Sequence, residues 1–258
     1  LIPIFGKEGV QFLAERRKKR MENKEQRYSI APIMVLAIFV VVISLSSYTS
    51  AVAADREGVQ LLVDKARITL KDFMTDPNFV WLHEHIRNAR GILIFPQVIK
   101  GGFIFGGSGG TGILVVRDKR TGYWGEPAFY TVGSATFGLQ IGGEAAQVVM
   151  LAMTQKAVDS LLSSSFKLGG DVSIAIGPVG AGAKAGTDIP SVTGDFISFA
   201  KSKGLYAGLN LEGAVVGVRD SLNQAYYGKT VRPADIIVGH TVYNRGADQL
   251  RAVLRGAA

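Results

Sequence analysis

Along residues 56–74 apolar side chains recur every three or four positions, at Val59, Leu62, Val63, Ala66, Leu70 and Phe73. That spacing gathers them on one arc, about 120° wide, of an α-helix. Arg56, Arg67 and Lys71 run along one edge of the arc, and Lys65 belongs to the same helix. Asp76-Pro77 then supplies an N-cap with proline at the first helical position, which predicts a second helix through Trp81–Arg90. Gly91 is the expected stop of that helix.

After Gly91 the pattern changes to short β-rich runs punctuated by glycine and polar turns. Strands are expected over 91–95, 102–106, 112–117, 122–132, 135–141, 148–153, 171–186, 195–202, 204–213 and 214–220. Thr154 is placed to cap a short helix, QKAVDSLL. The tail segments SLNQAYYG, RPADIIVG and ADQLRAVL return to helix. Many short strands joined by turns pair antiparallel, so the predicted class is α+β. The expected architecture is a mainly antiparallel, glycine-rich β-sheet, a closed barrel or sandwich-like, with N-terminal helices and short C-terminal helices.

Two catalytic-looking patterns overlap inside this region. Gly107, Gly109 and Gly112 have the spacing of a dinucleotide loop, and Gly106-x-Ser108-x-Gly110 that of a nucleophile elbow. Both devices need a helix immediately afterwards. The residues that come next are Ile113-Leu114-Val115-Val116 and then a polar turn, which is strand and hairpin. The glycines are therefore read as letting closely packed strands bend and bulge. A serine hydrolase built from Ser108, Asp188 or Asp195, and His240 keeps the chain order of one hydrolase class, but order without the elbow carries little weight. His83 and His85 are two apart and diverge on their helix, which does not suit a zinc site. No catalytic residue, metal or cofactor is expected.

The N-terminal part has a different composition. From Met21 a polar start leads into an apolar core at 30–43, 14 residues long, and then a small-residue exit ending Ala51-Val52-Ala53-Ala54. That core suits a signal-peptide h-region and is short of the ~20 residues that span a bilayer. The expected organisation is upstream translation over 1–20, a signal peptide over 21–54 cleaved after Ala53 or Ala54, and one domain over 55–258. The alternative is an N-terminal membrane anchor at 30–50. The chain has no cysteine, which excludes disulfides and lipid attachment through a thiol. Of the net charge of +8, half falls within 1–54, where eight basic residues accompany four acidic ones. The modest remainder does not call for nucleic acid and is compatible with weak attraction to anionic headgroups.

Several motifs together resemble a known family. GILIFPQVIKGGFIFGGSGGTGILVVR, GYWGEPAFY, GLQIGGE, FAKSKGLYAGLNLEGAVVG and NQAYYG succeed one another from Ala89 to Gly239. In that order they are similar to the SYLF domain, a lipid-binding module. Its eukaryotic forms are joined to SH3 or FYVE domains and act at phosphoinositide membranes, some with actin. The resemblance here is to the stand-alone bacterial exported form, for which neither actin nor phosphoinositide specificity is expected. It implies non-catalytic contact with anionic phospholipid through an amphipathic N-terminal helix and nearby basic residues, in the periplasm or cell envelope. The matching helix offers Arg56, Lys65, Arg67 and Lys71. A second basic set sits at predicted turns: Lys100, Lys119, Arg120, Lys201 and Lys203. The alternative is a structural envelope protein or one that binds a protein partner, whose identity the sequence does not give.

Overall fold

The computed structural model describes residue 16 and residues 56–102, 105–118, 120–137, 142–180, 192–202, 205–206 and 211–257. Chain contacts divide the molecule into two units, Leu1–Ala54 and Asp55–Ala258. The sheet and the helices from residue 56 onward all belong to the second unit.

Helix α1 (56–75) forms where the three- and four-residue spacing predicts it. Val59, Val63, Ala66, Leu70 and Phe73 are all buried beneath it. Asp76 ends the helix and starts a 3-10 turn, Pro77–Phe79, its carboxylate accepting from the Asn78 backbone N–H at 3.0 Å. Helix α2 (Val80–His85) and a second 3-10 turn (Ile86–Asn88) come next. Gly91 does not stop this helix. Ala89 is already extended and the Arg90 N–H bonds to the Ala152 carbonyl at 2.8 Å, so the chain has entered the sheet before Gly91 is reached.

Nine strands make one sheet among the described residues. They are β1 (Gly91–Gly102), β2 (Phe105–Val116), β3 (Ala128–Phe137), β4 (Gly142–Ala152), β5 (Ser165–Lys167), β6 (Ile174–Ile176), β7 (Phe196–Ser202), β8 (Leu205–Tyr206) and β9 (Val215–Val218). Their order is β5-β9-β3-β2-β1-β4-β7-β6, with β8 on β7. Every pairing is antiparallel except β6 on β7, which is parallel. The sheet curls into a half-barrel. Helix α3 (Gln155–Leu161) lies between β4 and β5, and α4 (Asp220–Tyr227), α5 (Pro233–Ile237) and α6 (Asp248–Ala257) close the chain. Thr154 caps α3 as its sequence position requires, accepting from the Ala157 N–H at 3.1 Å.

The strands are longer than the glycine punctuation suggests. β1 continues through Pro96 because a bulge between Ile94 and Gln97 absorbs the residue that cannot donate. Gly106–Gly112 do not interrupt β2, since β1 and β3 hydrogen-bond to it on both sides. Of the expected strand at 122–132 only the part from Ala128 belongs to β3, and Trp124 makes an isolated bridge to Arg117. Of the expected strand at 171–186, the described part, 171–180, contributes β6. Residues 103–104, 138–141, 181–186, 204 and 207–210 of the expected strands lie outside the described residues.

Each face of the sheet carries its own core. On one, Leu93, Phe95, Val98, Val132 and Met150 pack with Leu161 of α3, Phe166 of β5 and Ile236 of α5. On the other, Ile92, Ile94, Ile113, Phe129, Val149 and Phe199 pack with α1, α2, Tyr226 of α4 and Leu250 and Leu254 of α6. Both clusters lie wholly within Asp55–Ala258, so that unit holds its own cores.

Candidate functional site

Register decides which residues meet. Ala146, Val98, Gly110, Val132, Val216 and Phe166 form one row across six strands, and its side chains are buried in the α3 face. Pleating turns the neighbouring row, Ala145, Ile99, Gly109, Gly133, Val215 and Lys167, to the opposite face. That is the face α1 packs on, yet the helices do not reach this row: Ile99 is 56% exposed and Val215 46%. Among the described residues the α1 face is thus covered over one half of the strands and open over the other.

A groove of about 440 Å³ lies where the covered half gives way to the open half. Its lining includes Lys65 and Ile68 of α1, Gln97 at the β1 bulge, Ala145 and Gln147 of β4, and Lys201 of β7. Lys65 and Lys201, which belong to separate basic sets in the sequence, therefore line one groove. Lys201 Nζ lies 2.8 Å from Asp76 Oδ2. Its hydrogen bond holds the Asp76 carboxyl below the ordinary aspartate range.

The other basic residues go elsewhere. At 100° per residue Arg56 and Arg67 fall on roughly the opposite flank of α1 from Lys65. Arg56 sits over Gly228, the left-handed C-cap of α4, where a Cβ would approach its Nη2 to 2.7 Å. Beside it a smaller groove, about 340 Å³, is bounded by Gln60, Tyr226, Tyr227 and Asn244. Lys71 is exposed, and the Arg67 Nε is buried without a hydrogen-bond partner among the described residues. Lys100 stands between Glu144 and Ser108 in the ladder, on the face away from Ile99. Arg120 lies in the turn after β2, its N–H bonded to Asp118. From Ser108 to Val116 is about 26 Å of strand at ~3.3 Å per residue, so Lys100 and Arg120 do not form one patch. Lys119 and Lys203 lie outside the described residues.

The apolar arc of α1 is committed to the core. Releasing Val59, Val63, Leu70 and Phe73 would cost about 1.5–3 kcal/mol each, a total comparable to the ~5–15 kcal/mol stability of a whole domain. The part of α1 left exposed is an outer stripe, where Leu61 is 53% and Ile68 48% exposed beside Lys65.

Each described residue of the hydrolase alternative is engaged with a different partner. Ser108 Oγ bonds Ser134 Oγ at 2.8 Å in mid-sheet, where no elbow exists. Asp195 accepts from Thr154 Oγ1 at 2.6 Å and from Ser173 at 2.9 Å, and His240 Nε2 faces Asp118 Oδ2 at 3.2 Å. Asp188 is outside the described residues. The ring nitrogens His83 Nε2 and His85 Nδ1 are hydrogen-bonded to the Phe73 and Trp81 carbonyl oxygens. Among the described residues no group of three or more His, Cys, Asp or Glu is placed to hold a metal ion, and no helix is long and apolar enough to cross a membrane.

Residues 133–257 match a family model, Ysc84, described as Las17-binding protein actin regulator. The chain is 32% identical over 203 residues to protein YSC84 of Saccharomyces cerevisiae, covering 75% of this chain and 42% of that protein. It is 32% identical over 170 residues to SH3 domain-containing YSC84-like protein 1 of Homo sapiens, covering 66% and 49%. A third relative, an SH3 domain-containing protein of Schizosaccharomyces pombe, is 36% identical over 172 residues, covering 66% and 39%. The chain belongs to the SYLF domain family. It spans less than half the length of these relatives. The family match begins at Gly133 in β3 and runs through α6, so it includes Lys201 but not α1.

Proposed function

We propose that this SYLF domain is a non-catalytic binding module that engages the surface of an anionic phospholipid membrane, in the cell envelope after export. The observation that carries this reading is the meeting of Lys65 and Lys201 at one groove, beside the exposed Leu61 and Ile68. Each cation near an anionic surface contributes roughly 1 kcal/mol, and shallow apolar contact adds to it. Binding is therefore peripheral, weak and salt-sensitive. Co-sedimentation of residues 55–258 with neutral and anionic liposomes, at low and high salt, tests it. Anion-dependent binding that weakens with Lys65→Glu and not with Arg120→Glu is expected; equal sedimentation of both variants, or none of the wild type, would remove this use of the groove.

A second reading, a protein partner at the same groove, is favoured by the relatives' own descriptions. The matching family is named for Las17 binding and actin regulation. A chain that ignores liposomes but retains a soluble binding partner would support this second course.

A further inference from the structure

The open half of the α1 face contains glycines that neither conformation nor packing demands. A Cβ at Gly101 would meet nothing within 4 Å, one at Gly109 only the Val132 carbonyl at 3.8 Å, and one at Gly133 only the Ser108 carbonyl at 3.7 Å. None of the three has positive φ. Gly110 and Gly112, on the same strand, differ: a Cβ there would come within 2.5 and 2.3 Å of β1 carbonyls. Glycine weakens a strand, and inside a sheet it marks either a local distortion or a place where something approaches the backbone closely. At Gly109 and Gly133 the ladder is regular; Gly109 is exposed and Gly133 half-buried.

These two glycines continue a path that starts at the groove. Ala145 lines the groove, Ile99 pairs with Ala145, and Gly109, Gly133 and Val215 succeed them across β2, β3 and β9. Four strand spacings of ~4.8 Å make this path about 19 Å long. That is comparable to half of the ~30 Å hydrocarbon core of a bilayer, the reach of one acyl chain. Its surface is a methyl, an isoleucine, two bare stretches of backbone and a valine. At its head Lys65 and Lys201 carry two positive charges and Asp76, paired with Lys201, one negative. The net of one positive charge complements a monoanionic phosphodiester and not a polyphosphorylated headgroup.

We infer that the domain holds a single anionic phospholipid, its phosphodiester at Lys65 and Lys201 and one acyl chain laid across Ile99, Gly109 and Gly133 toward Val215. This rests on the lipid reading of the groove and adds to it: a lipid molecule is bound out of the bilayer plane, on the sheet. A Cβ at 109 or 133 meets nothing closer than 3.7 Å, so a valine there is expected to stand in the path of the chain and leave the fold intact.

Calorimetric titration of residues 55–258 with lysophosphatidylglycerol below its micelle-forming concentration tests this. One-to-one binding is expected, weakened at least tenfold by Gly109→Val or Gly133→Val with no fall in melting temperature, and also by Lys65→Glu. Ile99→Glu, at an exposed position, decides the matter should a valine variant fail to fold, and the same tenfold loss is expected. Unchanged affinity in the folded valine variants, or in Ile99→Glu, overturns the inference. Anionic liposomes bound without any saturable binding of the monomeric lipid also overturns it while leaving the membrane reading intact. Binding of neither overturns both.

Discussion

The Lys201 ammonium and the Asp76 carboxylate, 2.8 Å apart with 16% and 14% of their side chains exposed, fasten the end of β7 to the turn after α1. Asp76 does two things at once there, since the same side chain also caps Pro77–Phe79 through the Asn78 N–H. Asp76→Ala loses the cap and the pair and is expected to cost about 1–2 kcal/mol, while Asp76→Asn, which can still cap, costs less. The Asp76 acid is lowered on folding, chiefly by its bond to Lys201. A depressed carboxylate stabilises the fold above its unfolded value, near pH 4, and that contribution disappears as pH falls through the lower folded value. Urea titrations between pH 7 and pH 2 should show the wild type losing its advantage over Asp76→Ala in that window.

Helix α1 gives a sharper contrast between its two sides. Leu70 and Phe73 are fully buried, so Leu70→Ala should cost ~2–5 kcal/mol and Phe73→Ala ~3–5 kcal/mol. Leu61→Ser and Ile68→Ser, on the exposed stripe, should change stability by no more than ~0.5 kcal/mol. Denaturant midpoints measure the first pair and confirm that the second pair can be used in binding assays without loss of fold.

Glycines on β2 should separate in the same way. Opposite the β1 bulge, a Cβ at Gly112 would lie 2.3 Å from the Ile94 carbonyl oxygen and 2.6 Å from the Phe95 ring. Gly112→Ala forces that contact and is expected to cost about 1–3 kcal/mol. Gly109→Ala meets no such obstacle and should be neutral or stabilising, since alanine gives up less backbone entropy than glycine. Thermal melts of the two variants provide the comparison.

What could be read in the chain depended on the range of the signal. The arc of α1, the Asp76-Pro77 start and the Thr154 cap were legible because each is written within a few residues. The hairpin context that rules out a dinucleotide loop at Gly107–Gly112 was equally local. Strand lengths were not, because whether glycine ends a strand depends on the neighbours that hydrogen-bond to it, and those are fixed by register. The meeting of Lys65 with Lys201 depends on β4 pairing with both β1 and β7, which no local pattern encodes. The open row needed the same information: Val98 is buried and Ile99 exposed, yet they are adjacent apolar residues that no local pattern tells apart, and the glycines beside Ile99 lie on two other strands.

A last relationship ties the C-terminal helix to the turn before β3. Glu126 is 7% exposed; its Oε1 lies 2.9 Å from Arg251 Nη1 and its Oε2 accepts from the Asn244 N–H at 3.2 Å. Burial raises the Glu126 acid, and the Arg251 charge opposes that rise without cancelling it. Arg251 also pairs with Asp248 on its own helix. Removing the guanidinium with Arg251→Ala leaves a buried carboxylate without its counter-ion, which is expected to cost about 3–5 kcal/mol at pH 7. Replacing both partners by apolar groups, Glu126→Leu with Arg251→Met, should cost far less. The pH dependence carries the opposite sign from that of Asp76. A carboxyl whose folded value is raised binds its proton more tightly in the folded state, so the penalty is present above the folded value and is relieved as pH falls through it. The gap in melting temperature between wild type and Arg251→Ala should therefore narrow from pH 7 to pH 4.5. A gap that stays constant over that range would mean that Glu126 keeps its charge by recruiting another partner.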